Sequence, residues 1–161
     1  MLTITSASIE DAPTMLDIQR RAFAEEGRRV GRLEDGQEIP PLAEPLADLV
    51  EHIEGQTALV AREGNRIVGA VRGIVTGRVC VIRALVVDTD RQGQGIGSAL
   101  LHALERRLAD VDRYELTTNP ITAGNVPFYE RHGYRLTELT HYSATVRLAQ
   151  MAKPGRGEPR Q

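Results

Sequence analysis

Lysine is almost missing from this chain. Lys153 is the one lysine among 20 basic residues, the rest being arginine. That excludes a nucleoside-triphosphate loop of the form Gly-x-x-x-x-Gly-Lys-Ser/Thr, which needs its lysine beside the glycines. Cysteine is as scarce. Cys80 stands alone, so no intrachain disulfide exists and no metal site is expected. It lies in the apolar run Val79–Ile82, where a thiol is expected to be buried and inert rather than nucleophilic. No apolar run reaches membrane length and no signal peptide is recognised, so a cytoplasmic protein without a membrane partner is expected. Charge of either sign is also in short excess: the net charge is −2, which gives no general attraction to nucleic acid. No internal repeat is visible.

What is present concentrates in one stretch, residues 81–101. Its first half is apolar and β-branched up to Val87, the pattern of a buried strand. Asp88 to Arg91 is polar and ends the strand. Gly93, Gly95 and Gly97 then alternate, where backbone angles closed to other residues become available. From Ile96 the apolar positions Ile96, Ala99, Leu100, Ala103, Leu104 and Leu108 keep helical spacing. A helix start leaves about four N–H groups unpaired and carries roughly half a positive charge. Glycines let those groups converge on a phosphate or pyrophosphate. The dinucleotide fingerprint Gly-x-Gly-x-x-Gly fails here at Ser98, and the turn lies mid-chain rather than after an early strand.

At 161 residues the chain fits one domain. Leu2 to Ser8 reads as a first strand. A helix follows, capped by Glu10 or Asp11, with Pro13 in its first turn. Residues 25–41 read as a long acidic and basic loop ending in Pro40-Pro41. A second helix carries Leu42, Leu46, Leu49, Val50 and Ile53, and Gly55 closes it. Gln56 to Arg62 and Arg66 to Val75 flank Gly64-Asn65 as a hairpin, and Val79 to Val87 is the next strand. Tyr114 to Thr118 is a short strand, Val126 to His132 a short helix ended by Gly133. Tyr134 to Leu139 and His141 to Leu148 form the last pair of strands. The single domain is expected over residues 1–150. Residues 151–161, rich in Pro, Gly and Arg, are expected to be a disordered tail.

The turn Gln92-Gly-Gln-Gly95-Ile-Gly97, with its Gln-x-x-Gly-x-Gly spacing, resembles the pyrophosphate-binding turn of the GNAT superfamily of acetyl-coenzyme A-dependent N-acetyltransferases. A second segment, Asn125-Val-Pro-Phe-Tyr129-Glu-Arg-His-Gly-Tyr134, is similar to that family's closing motif. The resemblance covers element order from Leu2 to Leu148 and is specific between Val79 and Tyr134. It implies an α/β fold of three layers, a mixed central β-sheet with helices on both faces.

It also implies acetyl-coenzyme A as co-substrate, held without a metal, and a small-molecule or peptide amine as acceptor. The cofactor-binding residues would be Gln92, Gly93, Gln94, Gly95, Ile96, Gly97 and Ser98 at the pyrophosphate. The main chain of Leu85, Val86 and Val87 would lie along the pantetheine arm, and the thioester oxygen would find a strand N–H. Thr122 falls where the family's motif has Asn, so Asn119 and Asn125 are both candidate amide contacts. Tyr129 would be the catalytic residue, protonating the departing thiolate. A phenol near pKa 10 can donate to a thiolate near 8.5 when both are desolvated.

The pattern departs at the base. Arg83 stands where many relatives have glutamate, and arginine does not give up its proton. Glu38, Glu44 or a water relay is left to deprotonate the amine, and Arg83 is free to orient an anionic substrate group or to pair with an acid. The expected reaction is direct attack of a primary amine on acetyl-coenzyme A in a ternary complex. A different acyl group or acceptor, or a non-catalytic coenzyme A-binding module, fits the same features. The fold is compatible with a homodimer.

Overall fold

A computed structural model describes residues 1–33, 35–120, 122, 124–141 and 146–157. The chain runs β1 (Leu2–Ser6), α1 (Ala12–Val30), α2 (Pro40–Ala43), α3 (Leu46–Gly55), β2 (Thr57–Glu63), β3 (Arg66–Thr76) and β4 (Val79–Val87). It continues through α4 (Ile96–Arg107), β5 (Arg113–Thr118), α5 (Asn125–Arg131), β6 (Arg135–His141) and β7 (Arg147–Pro154). Seven strands form one mixed sheet in the order β1-β2-β3-β4-β5-β7-β6. Among the described residues, β4 and β5 are the only parallel neighbours; the others are antiparallel.

Alternation along β2 and β3, shifted once at the bulge where Ala61↔Gly69 gives way to Arg62↔Ile67, sends side chains to two faces, and each face is covered by helix. Leu59, Ala61, Val68 and Val71 pack with Ile96, Leu100, Leu101 and Leu104 of α4. Val60, Ile67 and Ala70 pack with Ala12, Met15, Leu16 and Ile18 of α1 and Leu49 of α3. The three-layer α/β fold expected from the sequence is the one observed.

Three local readings are corrected. The loop expected from Glu25 is helix as far as Val30, stabilised in part by the Glu25–Arg28 pair one turn apart at 2.6 Å. Pro40 then starts the short helix α2, where a missing N–H costs nothing. The third correction is the tail. Strand β7 runs to Pro154 and pairs with β5 from Thr118↔Ala149 to Arg113↔Pro154. Met151 is 1% exposed, and Lys153 Nζ lies 3.1 Å from both Glu105 oxygens. Beyond the strand, Gly155 N–H donates to Asp112 O and Gly157 N–H to Val111 O. The expected disordered tail is therefore ordered through Gly157, held by pairing that local composition does not reveal. Residues 158–161 lie outside the described residues.

The last strand pair also shifts, to 135–141 and 147–154. Asp11 does not cap α1 with its side chain. Its carboxylate instead accepts from Ser8 N–H at 2.9 Å and from Arg62 at 2.7 Å.

Candidate active site

The site begins with a fault in the sheet. β4 follows β3 in register up to Arg72↔Arg83 and resumes at Ala70↔Val86, so β4 has one residue more than its partner across this step. Ala84 absorbs the extra residue with φ +52°, a left-handed conformation that an L side chain seldom takes. The bulge reverses the alternation of the strand. Cys80 and Ile82 belong to the core under α4, whereas Val86 belongs to the core under α1.

On its other edge β4 pairs with β5 only over Val79–Val81. Beyond that point β5 continues beside β7, and the two parallel strands part. The opening is a cleft of about 600 Å³, into which Leu85, Val86, Val87 and Gln92 face from one side and Asn119, Asn125 and Tyr129 from the other. Among the described residues, main-chain groups of β4 beyond Val81 thus have no ladder partner on the cleft edge.

The turn that leaves β4 is tied down from behind. Asp88 is buried and accepts from Arg21 Nε at 3.1 Å, Arg21 Nη2 at 3.0 Å, Arg66 at 3.2 Å and Thr89 N–H at 2.9 Å. The Arg21 hydrogen bonds hold its carboxyl below the usual range against the opposing effect of burial. Gln92 Nε2 donates to Val87 O at 3.1 Å and closes the turn on the strand. Gly93 (φ +80°) and Gly95 (φ +83°) are both left-handed, and space around each is open. Gly95 is the N-cap of α4, and Ala99 N–H reaches back to Gly95 O at 3.1 Å. The earlier N–H groups of the helix have no intrahelical acceptor. Gly97 has ordinary backbone angles; a Cβ there would sit 3.6 Å from the Phe128 ring, which sets how closely α5 approaches α4.

Tyr129 reaches the cleft from α5. Its ring is edge-on to Phe128 and to Tyr134, with centroids 5.1 and 5.9 Å away. Burial pushes its phenol up to about 12. Asn125 Nδ2 lies 3.4 Å from Asn119 O, so both candidate amides border the same cleft. Thr122 is bonded to Arg29 Nη2 at 3.1 Å and to Glu26 Oε1 at 3.2 Å.

The two candidate bases separate. Glu38 faces a different depression on the far side of α1, 3.9 Å from Arg32. Glu44 does border the cleft, but it is occupied. Arg72 is 2% exposed and grips it through Nη1 at 2.9 Å and Nη2 at 2.6 Å, while Gln19 Nε2 donates at 3.0 Å. Burial would raise the Glu44 pKa, yet the bonds from Arg72 and Gln19 and the nearby arginine charges outweigh it and the net shift is downward. A carboxylate so held is a weak proton acceptor. This Gln19–Glu44–Arg72 cluster was not legible in the sequence, because its members lie 25 to 53 residues apart and share no spacing rule. Cys80 is fully buried, and burial raises its thiol to about 11, which removes it as a nucleophile. Among the described residues no group of three or more His, Cys, Asp or Glu side chains is placed to hold a metal ion.

Residues 36–154 match the family model described as an acetyltransferase (GNAT) domain. The chain is 29% identical over 111 residues to the uncharacterized N-acetyltransferase YjcF of Bacillus subtilis, covering 68% of this chain and 79% of that one. Its fold is similar to that of the ribosomal-protein-S18-alanine N-acetyltransferase from Escherichia coli, with TM-score 0.80, 20% identity, and coverage of 100% and 97% of the two chains. It is also similar to the PaiA N-acetyltransferase from Thermoplasma acidophilum in complex with coenzyme A, with TM-score 0.81, 17% identity, and coverage of 96% and 99%.

Proposed function

Because the chain belongs to the GNAT acetyltransferase family, and is by that membership an acetyl-coenzyme A-dependent N-acetyltransferase, we propose that it passes the acetyl group directly to a primary amine in a ternary complex. The observation that carries this reading is the parting of β4 and β5 beside a glycine turn, with the half-buried Tyr129 phenol facing the gap. The residues fit the co-substrate. The first N–H groups of α4 and the turn Gln92–Ser98 would receive the pyrophosphate. Main-chain groups of Leu85–Val87 on the cleft edge, apart from the Val87 O that Gln92 holds, would bond the pantetheine arm as an added strand does. Asn125 and Asn119 would supply amide contacts.

Gln92 has a role the sequence reading did not separate: its side chain holds the turn to Val87, and its main chain is what remains for the ligand. Tyr129 keeps its proton throughout the neutral range and would pass it to the departing sulfur. With Glu44 bound to Arg72 and Glu38 outside the cleft, the amine proton would leave through water.

Calorimetry with acetyl-coenzyme A, followed by turnover on a broad amine panel, tests the proposal. Binding with turnover supports it. Tight binding with no turnover of any amine would favour the binding-module reading instead. Absence of binding would overturn it. Intact-mass analysis after incubation with acetyl-coenzyme A alone should show no acetylated side chain on a productive time scale.

A further inference from the structure

Two arginines stand side by side in the cleft with a single carboxylate between them. Arg72 and Arg83 are directly opposite in the β3–β4 register, on the same face of the sheet. Directly opposite residues hold their Cβ atoms about 5 Å apart, and like charges so placed repel. Arg72 is satisfied: Glu44 takes two of its hydrogen bonds and Gln19 Oε1 a third at 2.9 Å. Arg83 is exposed, borders the cleft, and has no hydrogen bond or ion pair among the described residues.

Among the described residues, neither acid at the rim is bonded to it. Glu25 is bound to Arg28 at 2.6 Å, and Glu26 accepts from Thr122. His52, buried near Arg72, is pushed toward its neutral form by burial and by the arginine charges, and so adds no third positive charge. The inner cleft therefore carries a guanidinium whose nearby carboxylate, Glu44, feels its charge but is bonded to Arg72, next to the bulge at Ala84 where the two strands part.

Resting on the transferase reading above, we propose that Arg83 is a specificity residue that binds a carboxylate of the acceptor, so that the substrate is a small amine bearing an acid, an amino acid in the broad sense. A planar fork of donors matches a carboxylate in a bidentate way. It would also neutralise the like-charge pair, which gives the acid a preference over a neutral amine that the rest of the cleft does not supply.

The test uses the full-length enzyme with acetyl-coenzyme A and a panel of free α-amino and short ω-amino acids. Each is paired with its carboxamide, and rates are read as released thiol. For at least one pair the wild type should prefer the acid by on the order of ten- to a hundredfold in kcat/KM. Arg83→Gln should erase that preference through the acceptor KM, leaving the acetyl-coenzyme A KM unchanged, and Arg83→Lys should restore part of it. Carboxamides used as well as acids by the wild type, or an unchanged acid-to-amide ratio in Arg83→Gln, would overturn the proposal. An enzyme that binds acetyl-coenzyme A by calorimetry and acetylates other amines, but none of the acids, overturns this proposal alone. One that does not bind acetyl-coenzyme A overturns the underlying reading and this proposal with it.

Discussion

Tyr129 presents a phenol that burial has raised to about 12, so it is protonated at every pH where the enzyme would work. A group in that state can act as an acid but not as a base. Tyr129→Phe removes the hydroxyl and keeps the ring packed on Phe128 and Tyr134. Turnover should then fall by about a hundred- to ten-thousandfold, with acetyl-coenzyme A affinity little changed. Wild-type turnover in the variant would leave Tyr129 as packing alone.

Cys80 bears on stability rather than chemistry. Its pKa is raised from an ordinary 9.0 to about 11, so its contribution is intact below pH 9 and is lost as pH rises through 11. Tyr114 is raised from 10.0 to about 12 by burial and shifts stability in the same sense at slightly higher pH. Cys80→Ala should keep most activity, lose about 1 kcal/mol of stability from packing, and lose less stability than the wild type between pH 9 and 11. Thermal melts across that range measure it, and an equally steep loss in the variant would contradict it.

At the scale of elements, the turn into α4 and the tie between α2 and β3 make different demands. Gly95 sits at φ +83° with open space around it, so a side chain there meets no wall but must adopt a left-handed backbone. That strain is about 1–2 kcal/mol, small enough for the fold to survive. Gly95→Val should therefore give a folded protein that has lost acetyl-coenzyme A binding, and unchanged affinity by calorimetry would contradict the placement of the pyrophosphate.

Glu44 is the only carboxylate bonded to the buried guanidinium of Arg72 among the described residues. Glu44→Ala strands that charge and should cost about 3 kcal/mol in denaturant unfolding, while Glu44→Gln, which keeps hydrogen-bonding oxygen in place, should cost less. Because the Glu44 carboxyl lies below its ordinary 4.5, this stabilisation is present above that value and fades as pH falls below it. Equal stability of wild type and Glu44→Ala at neutral pH would show that the pair is not needed.

Taken whole, the molecule was legible where its demands are local. Alternating glycines at 93 and 95 announce positive φ angles, and both are found there. Hydrophobic period separates the strands from α4 because each element buries a continuous face. Long-range demands were not legible. Strand β7 extends past Met151 only because β5 offers it an edge, and no local signal in a Lys-Pro-Gly segment reports that. The Arg72–Glu44–Gln19 cluster and the bulge at Ala84 likewise exist only once three elements meet. It is these features that decide which side chains in the cleft are free to act.

In the proposed complex the gap between β4 and β5 and the turn beyond it would hold acetyl-coenzyme A through the main chain. Amide hydrogen exchange with and without saturating acetyl-coenzyme A, read residue by residue, tests it most directly. Protection should appear at amides within Leu85–Val87 and Gly93–Ser98, with little change in β1, β2 or α3. Binding that leaves those two segments unprotected would contradict the account.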